Sequence, residues 1–256
     1  RERNPKAVNL IGHFSQLEDD SEIYALLKQI GIEKVREISR CRSFEEYLEL
    51  GEANFNLILN PEARKAASMM YKNLGIPMAE LTRLYQIDRI QRQYALLGAA
   101  LGTKFDDVKF YNEAFDAVKE LKEVCKGKVF SIGQVINANP VELALALTKY
   151  GLKVRSIFSN LTDEDMSYIS ELGKLDPEVI LYSPLSPSMI NYNIEDDSNV
   201  DITIGIDAAF YYPESINVKW NDEIQPFGYK GLIHLIECIV DAVNKGNVLK
   251  ETNEGA

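Results

Sequence analysis

Short apolar runs alternate with amphipathic helical segments along the chain, and this order predicts an α/β protein. The first run, AVNLIG at residues 7–12, precedes a polar loop and a helix expected to begin at Glu22 and to end at Gly31. A second strand is predicted at residues 34–38. A strand, a helix and a strand in this order have the proportions of a crossover unit with parallel strands.

A very similar segment appears again in the second half of the chain. The run KVFSIG at residues 128–133 leads to Asn139 and Pro140, a helix cap followed by proline at the first helical position. Glu142, three residues after Asn139, takes the place of a capping-box carboxylate that reaches back to the cap's own N–H, and the helix ends at Gly151. This repeat predicts two similar domains in tandem; the alternative is that any two crossover units look this much alike. We place the first domain at residues 1–103 and the second at residues 104–256.

The remaining elements complete the two domains. Further strands are predicted at residues 54–59, 76–78, 154–158, 179–182, 201–206 and 216–218, and further helices at residues 43–50, 62–73, 82–101, 106–126, 162–172 and 228–243. The helix at residues 106–126 would link the domains, and the polar tail at residues 247–256 is expected to be disordered. The predicted fold is α/β, with two tandem Rossmann-like parallel-sheet domains that carry helices on both faces and are joined by helices.

Composition and charge exclude several classes of partner. The chain is 46% apolar and 26% charged, as in ordinary soluble proteins. A formal charge of −11 argues against nucleic acid or an anionic membrane as a partner. No stretch reaches the roughly 18 apolar residues of a membrane-spanning helix. The start shows neither a signal peptide nor an initiator methionine, so we expect a cytoplasmic protein and a piece of something longer.

The chain contains none of the short sequence motifs that mark common catalytic sites, so catalytic residues cannot be predicted. It lacks a dinucleotide or phosphate-binding glycine loop, a zinc-binding helix motif and a nucleophile elbow. Cys41, Cys125 and Cys238 are widely scattered, which indicates reduced thiols and no metal site. His234 lies among apolar residues and is expected to pack in a core.

Candidate binding residues follow from the predicted topology. Ligands of open parallel sheets bind outside the carboxyl ends of the strands, where the strand order reverses. Helices that begin after Asn60 and Asn139 would present free N–H groups that favour an anion. Four loops are expected at these strand ends, at residues 12–16, 60–62, 133–139 and 183–187. Arg40, Arg42 and Arg64 lie near these edges and could add donors; the alternative is that the Asn-Pro pairs are only caps and the arginines only solvated. The predicted binding residues are His13, Ser15, Asn60, Arg64, Gly133, Gln134 and Asn137.

Five segments together resemble a known family. VNLIGHFS, DDSEIYALLKQIGIEKV and ANFNLILNPEARKAASMMYKNLGIP resemble the middle domain of the nitrogenase component 1 type oxidoreductases. GKVFSIGQVINANPVELALALTKYGLKV resembles the opening of that family's third domain, and FGYKGLIHLIECIVDAV its Gly-Tyr helix near the C-terminus. The resemblance covers most of the chain in order. The family's first domain, which carries iron–sulfur cysteines, has no counterpart in this sequence.

The resemblance implies partners and a cofactor for the full-length assembly. Family members include nitrogenase, its cofactor scaffold and reductases of tetrapyrroles such as protochlorophyllide, and they receive electrons from an ATP-dependent iron–sulfur reductase protein. A paralogous subunit or a homodimer partner is implied as well. An iron–sulfur or metal cluster is possible in the assembly, but none is certain within this fragment.

The resemblance also implies where this chain departs from nitrogenase. Asn60 stands where nitrogenase has a cysteine that ligates its metal cluster, and residues 217–220 contain no histidine where the family has a second ligand. A carboxamide does not replace a thiolate or an imidazole in holding iron, so no metal ligand is predicted in this chain. Gly133 matches the glycine-bearing loop that approaches the family's cofactor.

These observations lead to one predicted function and two alternatives. We expect a fragment of a nitrogenase component 1-like oxidoreductase subunit that binds a cofactor or a large anionic substrate in the interdomain cleft. Electrons would come from a missing domain or a partner, and the isolated fragment would be inactive. The alternatives are a cluster-A-like binding protein for solutes or metal chelates, and a regulatory paralogue without catalytic activity.

Overall fold

The computed structural model describes residues 2–13, 15–192 and 199–254, with side chains as far as residue 246. The sequence also predicts a loop at residues 183–193. Outside the described residues lie the last residue of this loop, Phe14, and the last two residues of the predicted tail. The described part contains two sheets in which every strand pair is parallel. These sheets confirm the predicted α/β class.

The first sheet has four strands in the order β2-β1-β3-β4. Its strands are β1 (Asn4–Ile11), β2 (Lys34–Glu37), β3 (Ala53–Ile58) and β4 (Met78–Glu80). The accompanying helices are α1 (Glu22–Gln29), α2 (Phe44–Glu49), α3 (Arg64–Leu74) and α4 (Ile87–Ala100). The interiors of β1 and β3 are buried, because helices cover both faces of a parallel sheet.

The second sheet has five strands in the order β7-β6-β5-β8-β9. Its strands are β5 (Val129–Ile132), β6 (Lys153–Phe158), β7 (Ile180–Tyr182), β8 (Ile202–Ile204) and β9 (Ile216–Val218). The accompanying helices are α5 (Val108–Val124), α6 (Pro140–Lys149), α7 (Met166–Leu175), α8 (Ile206–Tyr211) and α9 (Gly228–Glu254). Counted from β5, this order is 3-2-1-4-5, which matches five of the six strands of the Rossmann order 3-2-1-4-5-6.

The chain forms two compact units, each built around one sheet. Unit 1 consists of Arg1–Arg83, Ile87–Tyr111 and Glu223–Gly231, and unit 2 of Leu84–Gln86, Asn112–Asp222 and Leu232–Ala256. The chain passes from one unit to the other within α5 and again in the first turn of α9, so neither unit is a continuous segment. The boundary between residues 103 and 104 stays a prediction.

Two predicted elements are shorter in the structure than the sequence pattern indicates. The helix expected from residue 82 begins at Ile87, since the Tyr85 and Gln86 N–H groups donate to the Glu142 carboxylate at 3.0 to 3.3 Å. The strand expected at residues 201–206 ends at Ile204, and the short helix α8, which the sequence pattern does not predict, follows Gly205.

The last helix is longer than predicted. The apolar pattern ends it at Val243, before a disordered tail, yet α9 continues to Glu254. Gly246 lies beyond the predicted end, and its small size lets the helix approach β9, because a Cβ there would lie 2.7 Å from Ile216 Cδ1. His234 is half-buried rather than in the core, and it packs its ring against Trp220 with centroids 5.2 Å apart. Among the described helices, none combines the length and hydropathy that crossing a membrane requires.

Candidate functional site

The strand order of the first sheet reverses between β1 and β3, and the loops after these two strands touch. Gly12 follows β1 with φ +128°, and an added Cβ would lie 2.6 Å from Asn60 N and 2.9 Å from Asn60 Cβ. Such an approach excludes every side chain but hydrogen. His13 and Asn60, predicted from sequence as binding residues, therefore lie at the same carboxyl edge, where open sheets bind ligands.

Burial and the neighbouring Arg83 keep His13 neutral at this edge. Arg83 Nη2 lies 3.4 Å from His13 Nε2 and also donates to Gln225 Oε1 at 2.7 Å. A guanidinium only donates, so Nε2 must accept and the imidazole proton belongs on Nδ1. Burial, and secondly the charge of Arg83, lower the pKa of His13 to about 3. The edge thus offers a cation and a neutral N–H donor, a combination that suits an anion.

We expect the His13 ring to stay neutral throughout the pH range in which an ordinary histidine titrates. Between its usual pKa of 6.5 and about 3 the unfolded chain binds a proton that the native chain does not. Stability therefore falls as the pH drops through this window, by at most roughly 4 to 5 kcal/mol.

NMR of the ring protons, assigned with a His13→Gln variant, measures this titration directly. In Arg83→Gln the pKa of His13 should rise only part of the way to 6.5, because burial is the larger cause. A His13 ring that titrates near pH 6.5 in the native protein would contradict the buried, neutral assignment.

Ser15 lies in the loop that Gln225 holds in place. Gln225 N donates to Gln16 O at 2.9 Å, and its carbonyl accepts from Glu18 N at 3.3 Å. Ser15, just before these contacts, is half-buried. One residue, Gln225, thus orders the loop after His13 and orients Arg83. Neither Arg83 nor Gln225 was predicted, because both are distant from His13 in sequence.

The predicted binding residues Asn60 and Arg64 already have partners in the chain. Asn60 Oδ1 accepts from Glu62 N at 3.1 Å, which is the cap contact. Arg64 forms a two-point ion pair with Glu80, at 2.8 Å from Nε and 2.6 Å from Nη2. Asn60 therefore acts as a helix cap, and Arg64 is ion-paired rather than only solvated.

The other two predicted arginine donors differ in their surroundings. Arg40 donates to Glu37 Oε1 at 2.8 Å, to Asp19 Oδ1 at 2.7 Å and to Leu17 O at 2.9 Å. These contacts clamp the loop that precedes α1. Arg42 is exposed on the surface. The guanidinium beside His13 is therefore not that of Arg40 or Arg42 but that of Arg83, which follows β4.

The second sheet reverses its strand order between β5 and β8, and a carboxylate of the chain itself lies there. Asp207 Oδ2 accepts from Gln134 N at 2.6 Å, and Oδ1 accepts from Val135 N at 3.3 Å. A Cβ on Gly133 would overlap Asp207 Oδ1. Two N–H groups of the loop after β5 are therefore occupied by Asp207. The helix N–H groups after Asn139, which the sequence suggested for an anion, are different ones and donate to Asn139 Oδ1.

Gln134 and Asn137 hold the loop after β5. Gln134 is exposed, and its Oε1 accepts from Asn160 N at 2.9 Å. Asn137 is buried, donates from Nδ2 to Asp222 O at 2.8 Å and from its backbone N to Trp220 O at 2.6 Å. Gly133, Gln134 and Asn137 thus lie together at one edge of the second sheet.

The helix caps of α6 differ from the sequence prediction in one respect. Asn139 Oδ1 accepts from Val141 N and Glu142 N, as expected of a cap. Glu142 was expected to reach back to the cap's own N–H. Instead it is fully buried and accepts from Tyr85 N at 3.0 to 3.1 Å and from Gln86 Nε2 at 2.9 Å. A tertiary partner with several donors has replaced the local one.

A second buried carboxylate, that of Glu22, lies in unit 1, and its partners were not predicted from the sequence. Glu22 Oε1 accepts from Tyr94 Oη and Tyr229 N, each at 2.6 Å, and Oε2 accepts from Lys230 N at 3.1 Å. Burial raises the pKa of Glu22. The carboxylate caps the N-terminus of α9. The acidic start of α1 and the Gly-Tyr start of α9 are therefore two parts of the same contact.

The described residues do not fit a metal cluster. Within this part of the chain no three His, Cys, Asp or Glu side chains are grouped to hold a metal ion. Asn60 is used as a cap, and Asn217 Nδ2 donates to Thr203 Oγ1 at 3.0 Å and to Gly205 O at 2.9 Å. Carboxamides engaged in this way offer no thiolate or imidazole to iron.

The chain is similar in sequence and in fold to nitrogenase component 1. The model of the family described as nitrogenase component 1 type oxidoreductase matches residues 1–244. The structure of nitrogenase Cp1 at pH 6.5 has 16% identity and a TM-score of 0.71 over 95% of this chain and 60% of that one. The same protein at pH 5 has 16% identity and a TM-score of 0.66, over 95% and 57%.

More distant similarity extends to another class of protein. A mutant metal-free periplasmic metal-binding protein from Candidatus Liberibacter asiaticus has 13% identity and a TM-score of 0.52, over 93% of this chain and 99% of that one. This likeness concerns the fold alone. The search of curated proteins found no match.

The family match confirms the resemblance seen in the sequence, and the two parallel sheets confirm the predicted fold. The chain spans about 60% of the length of the nitrogenase chain that it matches at pH 6.5. The chain belongs to the nitrogenase component 1 type oxidoreductase family.

Proposed function

We propose that this chain is the ligand-binding part of an oxidoreductase and recognises an organic anion at the β1–β3 edge of unit 1. The observation that carries the proposal is the pair formed by Arg83 and the neutral His13 at that edge. Guanidinium N–H groups form strong charge-assisted hydrogen bonds with carboxylates. His13 Nδ1–H would add one neutral donor.

The electrostatic setting supports selective binding of an anion at this edge. The chain as a whole carries a formal charge of −11, so general attraction of anions is weak. Arg83 is half-buried, and a charge shielded from water acts more strongly over short distances than an exposed one. Recognition would therefore depend on direct contact with Arg83.

The finer features of the predicted function remain proposals. They include electron supply by an ATP-dependent iron–sulfur reductase, a paralogous or identical partner subunit, and a cytoplasmic location. Because the described residues do not fit a metal cluster, we assign no reaction step to one. The second candidate function is solute binding, since a metal-binding protein shares the fold.

The test is a titration of the protein with mesoporphyrin, a planar dicarboxylate, followed by absorbance. We expect Arg83→Gln to weaken binding at least tenfold, because a hydrogen bond to a charged group contributes about 1.5 to 3 kcal/mol. Arg42→Gln removes an exposed arginine of the same unit and should leave the affinity unchanged. The dimethyl ester of mesoporphyrin keeps the ring without the charges and should bind more weakly.

Two results would contradict the proposal. Equal affinity for the ester would show that the carboxylates are not recognised, and an unchanged affinity of Arg83→Gln would remove the assigned contact. Reduction of the bound ring by the full-length protein with ATP and its reductase partner would separate the oxidoreductase from a solute-binding protein, which only binds.

A further inference from the structure

Unit 1 contains an apolar cavity of about 690 Å³ between α2, α3 and the carboxyl end of β1. Its walls include Tyr47 and Leu48 from α2, and Ala66, Met69 and Leu74 from α3. The cavity exists because α2 has only six residues and is about 9 Å long. So short a helix leaves part of the sheet face beside α3 uncovered.

The apolar walls are unusually accessible to solvent. Met69 is 55% exposed, Leu74 53%, Ile38 51% and Tyr47 45%. Single exposed apolar residues need no explanation, but a contiguous group around a concavity is typical of a binding site. None of the residues that line the cavity carries a charge. An ion placed there would lose its water without gaining a partner.

A polar acceptor lies behind this apolar wall. Asn9 of β1 is fully buried and is paired in register with Asn56 of β3. Asn9 Nδ2 donates to Leu50 O and to Asn56 Oδ1, each at 2.8 Å. Leu50 lines the cavity, as does Met70, whose Sδ lies 3.6 Å from Asn56 Nδ2. Asn9 Oδ1 has no hydrogen-bond partner among the described residues, although buried polar atoms are nearly always paired.

We propose that this cavity binds a neutral, largely apolar small molecule that carries one hydrogen-bond donor. Its volume lies in the range of about 300 to 1,000 Å³ that small-molecule sites occupy. The uncharged lining selects a neutral body, and the flexible thioethers of Met69 and Met70 can adapt to its shape. A donor on the molecule that reaches past Met70 would satisfy Asn9 Oδ1. Gly12 lines the cavity but His13 and Arg83 do not, so this site adjoins the proposed anion site without using its two donors.

The test uses N-phenyl-1-naphthylamine, a neutral fluorescent probe with one N–H group. We expect one probe to bind per chain with a blue-shifted emission. Ala66→Phe should fill the cavity and weaken binding at least tenfold. Ser68→Phe adds the same ring to the same helix at an exposed position outside the lining, and binding should not change. Circular dichroism verifies that both variants are folded.

A second comparison tests the polar acceptor. The N-methyl derivative of the probe lacks the N–H group and should bind several-fold more weakly if Asn9 Oδ1 accepts a hydrogen bond. Equal affinity of the two probes would overturn the assigned donor.

Three outcomes would overturn the cavity site itself. The probe could fail to bind, or Ser68→Phe could weaken binding as much as Ala66→Phe. Sedimentation could also show a dimer that Ala66→Phe dissociates, in which case a second copy of the chain covers this face. Binding of mesoporphyrin is measured separately, so a failed anion site would not be confused with a failed cavity site.

Discussion

Replacing Gly228 with alanine is expected to lower the free energy of unfolding by more than about 4 kcal/mol. A Cβ at this position would overlap Glu22 Oε1 and lie 2.5 Å from Tyr94 Oη. The carboxylate has no free place to move to, because it accepts from Tyr94 Oη, Tyr229 N and Lys230 N. Moving it would leave three buried donors without an acceptor, at about 1 to 3 kcal/mol each.

The backbone adds a smaller cost at the same position. Gly228 has φ +65°, where an alanine costs roughly 1 to 2 kcal/mol. Together the two effects exceed about 4 kcal/mol, a large part of the roughly 5 to 15 kcal/mol that keeps a typical domain folded. Urea unfolding followed by circular dichroism measures the loss.

Gly102→Ala is the matched control for this prediction. Gly102 has φ +69°, and nothing lies within 4 Å of its hypothetical Cβ. This variant carries the backbone cost without the overlap, so it should lose only about 1 to 2 kcal/mol. If Gly228→Ala were no less stable than Gly102→Ala, the buried Glu22 carboxylate would not be the anchor of α9.

The second large effect is expected for Gly133→Ala in unit 2. A Cβ there would overlap Asp207 Oδ1 and lie 2.6 Å from Asp207 Cγ. The carboxylate could rotate away, but it would then lose the Gln134 and Val135 N–H groups. We expect a loss of about 2 to 4 kcal/mol, close to the cost of two charge-assisted hydrogen bonds.

A double-mutant cycle isolates the contact between Gly133 and Asp207. Asp207→Ala alone should cost about 2 to 4 kcal/mol, because the same two N–H groups lose their acceptor. Without the Asp207 side chain, the Cβ of an alanine at residue 133 has room. The double variant should therefore be no less stable than the less stable of the two single variants. Additive losses in the cycle would show that Asp207 does not occupy the reversal point of the second sheet.

Together these contacts give the two reversal points different roles. At the first, Arg83 and His13 present donors beside Gly12. At the second, Asp207 supplies the anion that the loop after Gly133 would otherwise accept. For this reason the proposed anion site is assigned to unit 1, although the sequence predicted binding residues in both.

Local signals in the sequence were enough to predict the fold and most of its elements. Period-two and period-3.6 apolar patterns act between neighbours in the chain, so strands such as β5 and helices such as α6 were found with nearly correct ends. Asn139 caps its helix with its own side chain, and Gly75 ends α3 in the left-handed conformation, since both depend on adjacent residues. Motif order over the whole chain identified the family.

Only the tertiary structure decided what the polar side chains at the strand ends do. Arg64 pairs with Glu80, Arg83 reaches His13, and Asp207 binds the loop after Gly133. The sequence shows that each group can donate or accept, but a hydrogen bond forms with whichever partner lies within about 3 Å in space. For Arg83 and Asp207 that partner is about seventy residues away, where no local pattern could identify it.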